Sequence, residues 1–163
     1  MKALAIKQPW ATGILLGNKQ VENRTWSTNY RGQLLIHVCM QPDESWMGLS
    51  ALRYQLTYPN DAGLIDVRGV LMGVVEMVDC VPSDECMSHW NNNSGWCWKL
   101  SNPKIFTEPI PYRGRQGLFE VDLSTVQTAI KSALNPYAWA AQRGSNFDPY
   151  RSCPADKYGR TFD

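Results

Sequence analysis

The sequence predicts an α+β domain built from interspersed strands and helices. Three observations carry that expectation. Residues 33–39 and 70–78 are apolar runs of strand length. Residues 20–26 and 118–123 alternate polar and apolar side chains. Residues 9–16 and 43–56 repeat apolar residues at helical spacing. With 163 residues, 44% hydrophobic and 19% charged, the chain is long enough for one globular domain with a sizeable core. A net charge of +1 excludes the broad basic field that coats duplex DNA, so any nucleic-acid contact must be local. No apolar run approaches the roughly 20 residues of a membrane span, and Lys7-Gln8-Pro9 interrupts any signal-peptide core. Cys39, Cys80, Cys86, Cys97 and Cys153 are odd in number and unpatterned, as expected of reduced thiols, so a cytoplasmic location without membrane contact is expected.

In chain order, Ala3–Lys7 reads as a short strand ended by Gln8-Pro9. Pro9 suits the first turn of a helix running to Leu16, with Trp10, Ile14 and Leu15 turned inward. Gly17-Asn18 is a stop signal, since both residues tolerate the left-handed conformation that ends helices. Gln20 to Trp26 then reads as a strand, paired in a hairpin with Gln33–Cys39 around Tyr30-Arg31-Gly32. Asp43 caps a helix carrying Trp46, Leu49, Leu52 and Leu56, and Tyr58 to Gly63 is a loop. Residues 70–78 form the most strand-like run, with Gly73 marking a bulge or a close backbone approach. Trp96 to Leu100 begins another strand, with Trp96 and Trp98 on one face. Residues 105–111 are extended, but Pro109 and Pro111 confine them to an edge or a bulge. Leu118–Leu123 closes the series. Past Leu123 the character changes to a helix at 124–134 capped by Ser124, then a tail in which aromatic residues such as Tyr137, Trp139 and Phe147 dock in part.

Chemistry concentrates at Lys19, Glu22 and Arg24. On a strand, Glu22, Arg24 and Trp26 share a face, with Glu22 and Arg24 roughly 7 Å apart. Lys19 has the opposite parity and joins them only if the preceding turn re-aims it. Two readings of the trio stand: a solvated face with a weak ion pair, or a ligand site. His37 in an apolar strand reads as a satisfied core histidine. Trp10 is either core or a wall at the helix N-terminus, next to Gln8. Glu76, flanked by Val75 and Met77, is either solvated or half buried. Tyr112 to Gly117 forms a glycine loop with two guanidiniums, a type that can clamp a nucleic-acid backbone. Cys80, Cys86, His89 and Cys97 lack the paired spacing of a zinc knuckle, so no metal is expected, nor any cofactor.

The spacing Gly17-x-Lys19-x-x-Glu22-x-Arg24 resembles the signature of the ASCH family, whose domains are similar to PUA-like RNA-binding barrels. Gln8-Pro9-Trp10 ahead of it, and the run Pro109-Ile110-Pro111-Tyr112-Arg113-Gly114 leading to Gly117-Leu118-Phe119 behind it, fit the same family in the same order. The resemblance spans residues 1–123. It implies a small mixed β-barrel of PUA-like/ASCH type with helices packed against its side, followed by residues 124–163 as a C-terminal helix and partly docked tail. The elements alone do not choose that architecture.

The first functional expectation is a binding module for single-stranded RNA or a modified pyrimidine nucleoside, using Gln8, Trp10, Lys19, Glu22, Arg24, Trp26 and His37. Lys19 and Arg24 would contact phosphate or base acceptors, Glu22 an exocyclic amine, and the indoles would stack on bases. The alternative implied by the resemblance is an amidohydrolase of N4-acetylcytidine, with Lys19 and Glu76 catalytic. Such enzymes carry a threonine three residues after the motif lysine, where this chain has Glu22. A ribonuclease using Lys19, Glu22 and His37 is the third. The oligomeric state is not legible.

Overall fold

The computed structural model describes residues 1–16, 19–45 and 62–142. The strands are β1 (Lys2–Ile6), β2 (Val21–Arg24), β3 (Gly32–Val38), β4 (Val70–Pro82), β5 (Trp96–Pro111) and β6 (Leu118–Glu120). The helices are α1 (Trp10–Leu15), α2 (Ala62–Ile65), α3 (Leu123–Ser132) and α4 (Pro136–Gln142). The strands form one mixed sheet in the order β2-β5-β4-β3-β1-β6, with β1 and β3 parallel and the other pairs antiparallel.

The sheet curls into a half-barrel, and one hydrogen bond shows how far. In a flat sheet, four interstrand steps would hold β2 and β1 about 19 Å apart. Yet Arg24 Nη2 on β2 donates to the Ala5 carbonyl on β1 at 2.8 Å. A single side chain spans that gap only if the sheet bends back on itself.

Alternation along β3 explains the two-sided burial. Leu34, Ile36 and Val38 pack with α1, Trp98 and Trp139 in the main core. Leu35 faces the other way, into a cluster with Phe119, Val121 and Val126 of α3. The α+β class and the helices against the sheet are as the sequence implies. No helix among the described residues is long and apolar enough to cross a membrane.

Several local expectations change. The hairpin of β2 with β3 does not form: β2 pairs with β5, while β3 lies between β1 and β4. The apolar β3 takes the central slot, where both its faces are covered, and the polar β2 takes an edge. Residues 96–111, expected as two segments, form one long strand. Its prolines are tolerated because β2 covers only Trp96–Lys99, so that among the described residues the far half of β5 meets only an isolated bridge from Leu134 to Ile105 outside its pairing with β4. At Gly73 the β4–β5 register shifts, and an added Cβ would lie 2.4 Å from the Lys104 carbonyl oxygen, so the close approach is real. α1 starts at Trp10, one residue after the expected start, with Pro9 at its N-cap, and Gln8-Pro9 is a cis peptide. α3 is capped by Asp122, whose carboxylate accepts from the Ser124 amide at 2.8 Å, and not by Ser124. Most of the helix expected from Asp43, including Trp46, Leu49, Leu52 and Leu56, lies outside the described residues. So do Gly17, most of the 58–63 loop and the tail with Phe147.

Candidate functional site

Residues of β1, β2 and β3, with the loops beside them, line one cleft of about 1830 Å³. Lys19 reaches it because the chain leaving α1 hooks back. The Lys19 amide donates to the Gly13 carbonyl at 3.0 Å, and a Cβ on Gly13 would already touch the lysine stem at 3.5 Å. That backbone bond fixes Lys19 at the end of α1, with its side chain on the Glu22 and Arg24 face. Lys19 is 4% exposed, and its ammonium donates to Glu22 Oε2 at 2.9 Å and to the Val21 carbonyl and lies 5.9 Å from the centre of the Trp10 ring. Glu22 Oε1 holds Arg24 Nη2 at 3.2 Å. One carboxylate thus carries two cations, and the trio is a largely desolvated network rather than a solvated strand face.

The surrounding walls are built by side chains that hold loops. Trp10 Nε1 donates to Asp43 Oδ2 at 2.9 Å, fixing the indole. That bond and the Ser45 hydroxyl hold the Asp43 carboxyl below its usual range, the serine contributing most. Trp26 lies just past the end of β2, not on it, and its ring meets Trp98 edge-on at 4.6 Å. Asn23 Nδ2 donates to the Trp90 carbonyl at 2.8 Å and its oxygen accepts from the Asn92 amide at 3.2 Å, pinning that loop along the cleft. On the far side, His37 Nε2 lies 2.9 Å from the Tyr112 carbonyl, and its ring meets Phe119 edge-on at 5.9 Å. Gly114 passes so close over the imidazole that a Cβ there would lie 2.4 Å from Cε1.

Of the residues singled out in the sequence, Trp10, Lys19, Glu22, Arg24, Trp26 and His37 line this cleft. Gln8 does not. Its Nε2 donates to the Leu64 carbonyl at 2.8 Å, and its Oε1 accepts from both the Thr12 amide and hydroxyl, so it ties α1 to α2 from a buried position. Glu76 does not either. Alternation with the buried Val75 and Met77 turns it to the opposite face of β4, between Gln33 and Ser101. There it belongs to the acidic surroundings that, after burial itself and Glu120, raise the Tyr30 phenol. The catalytic pairing of Lys19 with Glu76 is therefore not assembled. Asn23, Trp90, Arg113 and Arg115 also line the cleft. The two arginines were visible as a glycine-loop signal. Asn23 and Trp90 were not, because strand parity points Asn23 away from Glu22.

Charge and rings gather here. Among the described residues, Lys7, Lys19, Arg24, Arg113 and Arg115 line the cleft against two carboxylates, Glu22 and Asp43. Among the described residues no cluster of histidine, cysteine and carboxylate side chains is arranged to hold a metal.

The model of the ASCH domain matches residues 4–116. Activating signal cointegrator 1 of Homo sapiens and that of Mus musculus are each 26% identical to this chain over 143 residues, which covers 80% of it. The chain spans only 24% of the length of those relatives. Among solved structures, ASCH from Zymomonas mobilis aligns at a TM-score of 0.48 with 11% identity, over 81% of this chain and 94% of that one. A point mutant of the same protein aligns at 0.49 with 10% identity, over 81% and 97%.

Proposed function

The chain belongs to the ASCH domain family, and from that premise we propose that its cleft binds single-stranded RNA, down to a nucleotide or a modified pyrimidine nucleoside. The family's PUA-like fold is associated with RNA binding. The observation that carries the reading is the contrast between the whole and the cleft. A chain of net charge +1 places, among its described residues, five cations against two carboxylates around one groove. Trp10, Trp26, Trp90 and Tyr112 line the same groove. Cations that track phosphates and rings that accept stacked bases are the two elements of single-strand recognition. A groove of this size also exceeds the roughly 300–1,000 Å³ of a small-molecule pocket.

Binding is preferred over amidohydrolysis on a specific ground. A hydrolase would need a base beside Lys19, and the carboxylate that stands there, Glu22, is spent on two cations.

The test is titration of the protein with a mixed-sequence single-stranded hexaribonucleotide, followed by tryptophan quenching at several salt concentrations. Affinity should fall as salt rises, with a slope that counts the phosphates neutralised. Arg24→Ala should weaken binding by about 1.5–3 kcal/mol, the worth of a hydrogen bond to a charged group. Equal affinity in both proteins, or none in the wild type, refutes the proposal.

A further inference from the structure

We infer that the floor of the cleft receives one unpaired nucleobase edge-on, through Arg24 Nε and His37 Nδ1. The inference rests on the RNA-binding reading and deepens it, since a cleft could hold a single strand by phosphates and stacking alone.

Among the described residues, two polar atoms that belong to the cleft lining are buried without a hydrogen-bond partner: Arg24 Nε and His37 Nδ1. Such orphans are rare in folded proteins and demand an explanation. Their chemistry is complementary. Arg24 Nε–H can only donate. His37 Nε2 faces the Tyr112 carbonyl, which can only accept, so Nε2 carries a proton, and in the neutral imidazole form Nδ1 is the lone-pair acceptor. The tautomer is thus set by the backbone, and His37, 3% exposed, is locked in place by Phe119 and Gly114.

The two side chains also reach the same stretch of the sheet. Arg24 Nη2 is bound to the carbonyl of Ala5, and Ala5 is the register partner of His37 on the neighbouring parallel strand. The Arg24 guanidinium is therefore anchored on the strand next to the one that carries His37.

A phosphate offers acceptors only and satisfies Arg24 alone. The Watson–Crick edge of a nucleobase places a donor beside an acceptor and satisfies both. In a duplex that edge is already paired, so the base must be single-stranded. Sequence preference would then come from this floor, and general affinity from the cations and rings above it.

The experiment compares a single-stranded hexaribonucleotide with an abasic oligomer of the same length and charge, against the wild type, His37→Gln and Arg24→Lys. The glutamine amide takes the place of Nε2, keeps a donor for the Tyr112 carbonyl and removes the acceptor at Nδ1. The lysine keeps the charge and removes Nε–H. The wild type should prefer the base-bearing strand by about tenfold or more, the combined worth of two hydrogen bonds in a desolvated site. Each variant should shrink that ratio. In parallel, the nitrogen-15 resonance of His37 Nδ1 in the wild type should shift on adding a mixture of ribonucleosides, a readout independent of whether a variant folds. Equal affinity for both oligomers, or an unmoved Nδ1 resonance, overturns this inference while leaving phosphate-driven binding intact. Failure of the wild type to bind either oligomer sinks the RNA-binding reading itself.

Discussion

Replacing Glu22 with Gln tests whether the Lys19–Glu22–Arg24 trio is a desolvated network. In the wild type the Lys19 side chain is 4% exposed and the Glu22 side chain 10%, with the two cations held at 2.9 and 3.2 Å on opposite oxygens of one carboxylate. Glu22→Gln keeps the shape and deletes the anion. Two cations are then left about 6–8 Å apart, repelling by about 2–3 kcal/mol at an effective dielectric near 20. Lys19 also loses its charged partner while still buried, so the total cost should reach about 3–5 kcal/mol, as for other broken buried pairs. Against a typical stability of about 5–15 kcal/mol, that loss moves the urea midpoint far. The assay is urea unfolding followed by tryptophan fluorescence, for Glu22→Gln and for the double variant Lys19→Met/Glu22→Gln. The double variant should recover part of the loss, because the stranded charge is gone. A cost below about 1 kcal/mol that vanishes in high salt would mean an exposed ion pair, and the reasoning would be wrong.

Gly114→Ala drives a methyl to within 2.4 Å of His37 Cε1, so it should lower stability by about 1–3 kcal/mol and weaken oligonucleotide binding as the loop lifts; unchanged melting and affinity would contradict the packing. Trp139→Ala removes a ring that is 2% exposed in the main core and should cost about 3–5 kcal/mol in chemical denaturation, whereas a cost near zero would detach α4 from the barrel. Burial, and then the neighbouring Cys86 thiol, push the Cys97 thiol from 9.0 up to about 12, so the unfolded chain ionises there first. Stability should fall as pH rises from about 9 towards about 12, less so in Cys97→Ala, and Cys97 should resist iodoacetamide in the folded protein at pH 8.

What was legible in the sequence follows the range of the forces involved. Strand parity needs only near neighbours, and it was enough to place Glu22 and Arg24 on one face. Lys19 could not be placed, because its direction depends on a backbone bond to Gly13 across the end of α1. Glu76 shows the reverse problem. Alternation separates it from Val75 and Met77 but does not say which face meets the cleft, and that is decided by strand order. Strand order also undid the expected β2–β3 hairpin, since pairing with β5 joins residues more than seventy positions apart. The curled half-barrel could be expected only from the family resemblance. Asn23 stayed hidden because its partners, Trp90 and Asn92, sit in a loop whose sequence carries no period.

The bond from Arg24 to Ala5 joins strands that are first and fifth in the sheet. The cleft floor therefore has no local existence: it forms only once every intervening strand is in register. Occupancy should accordingly act as a clasp on the whole domain, adding RT ln(1 + [L]/Kd) to global unfolding and not to any one hairpin. Hydrogen exchange would then slow in β3 and β4, which lie between the two jaws, as much as in β2, which bears the arginine.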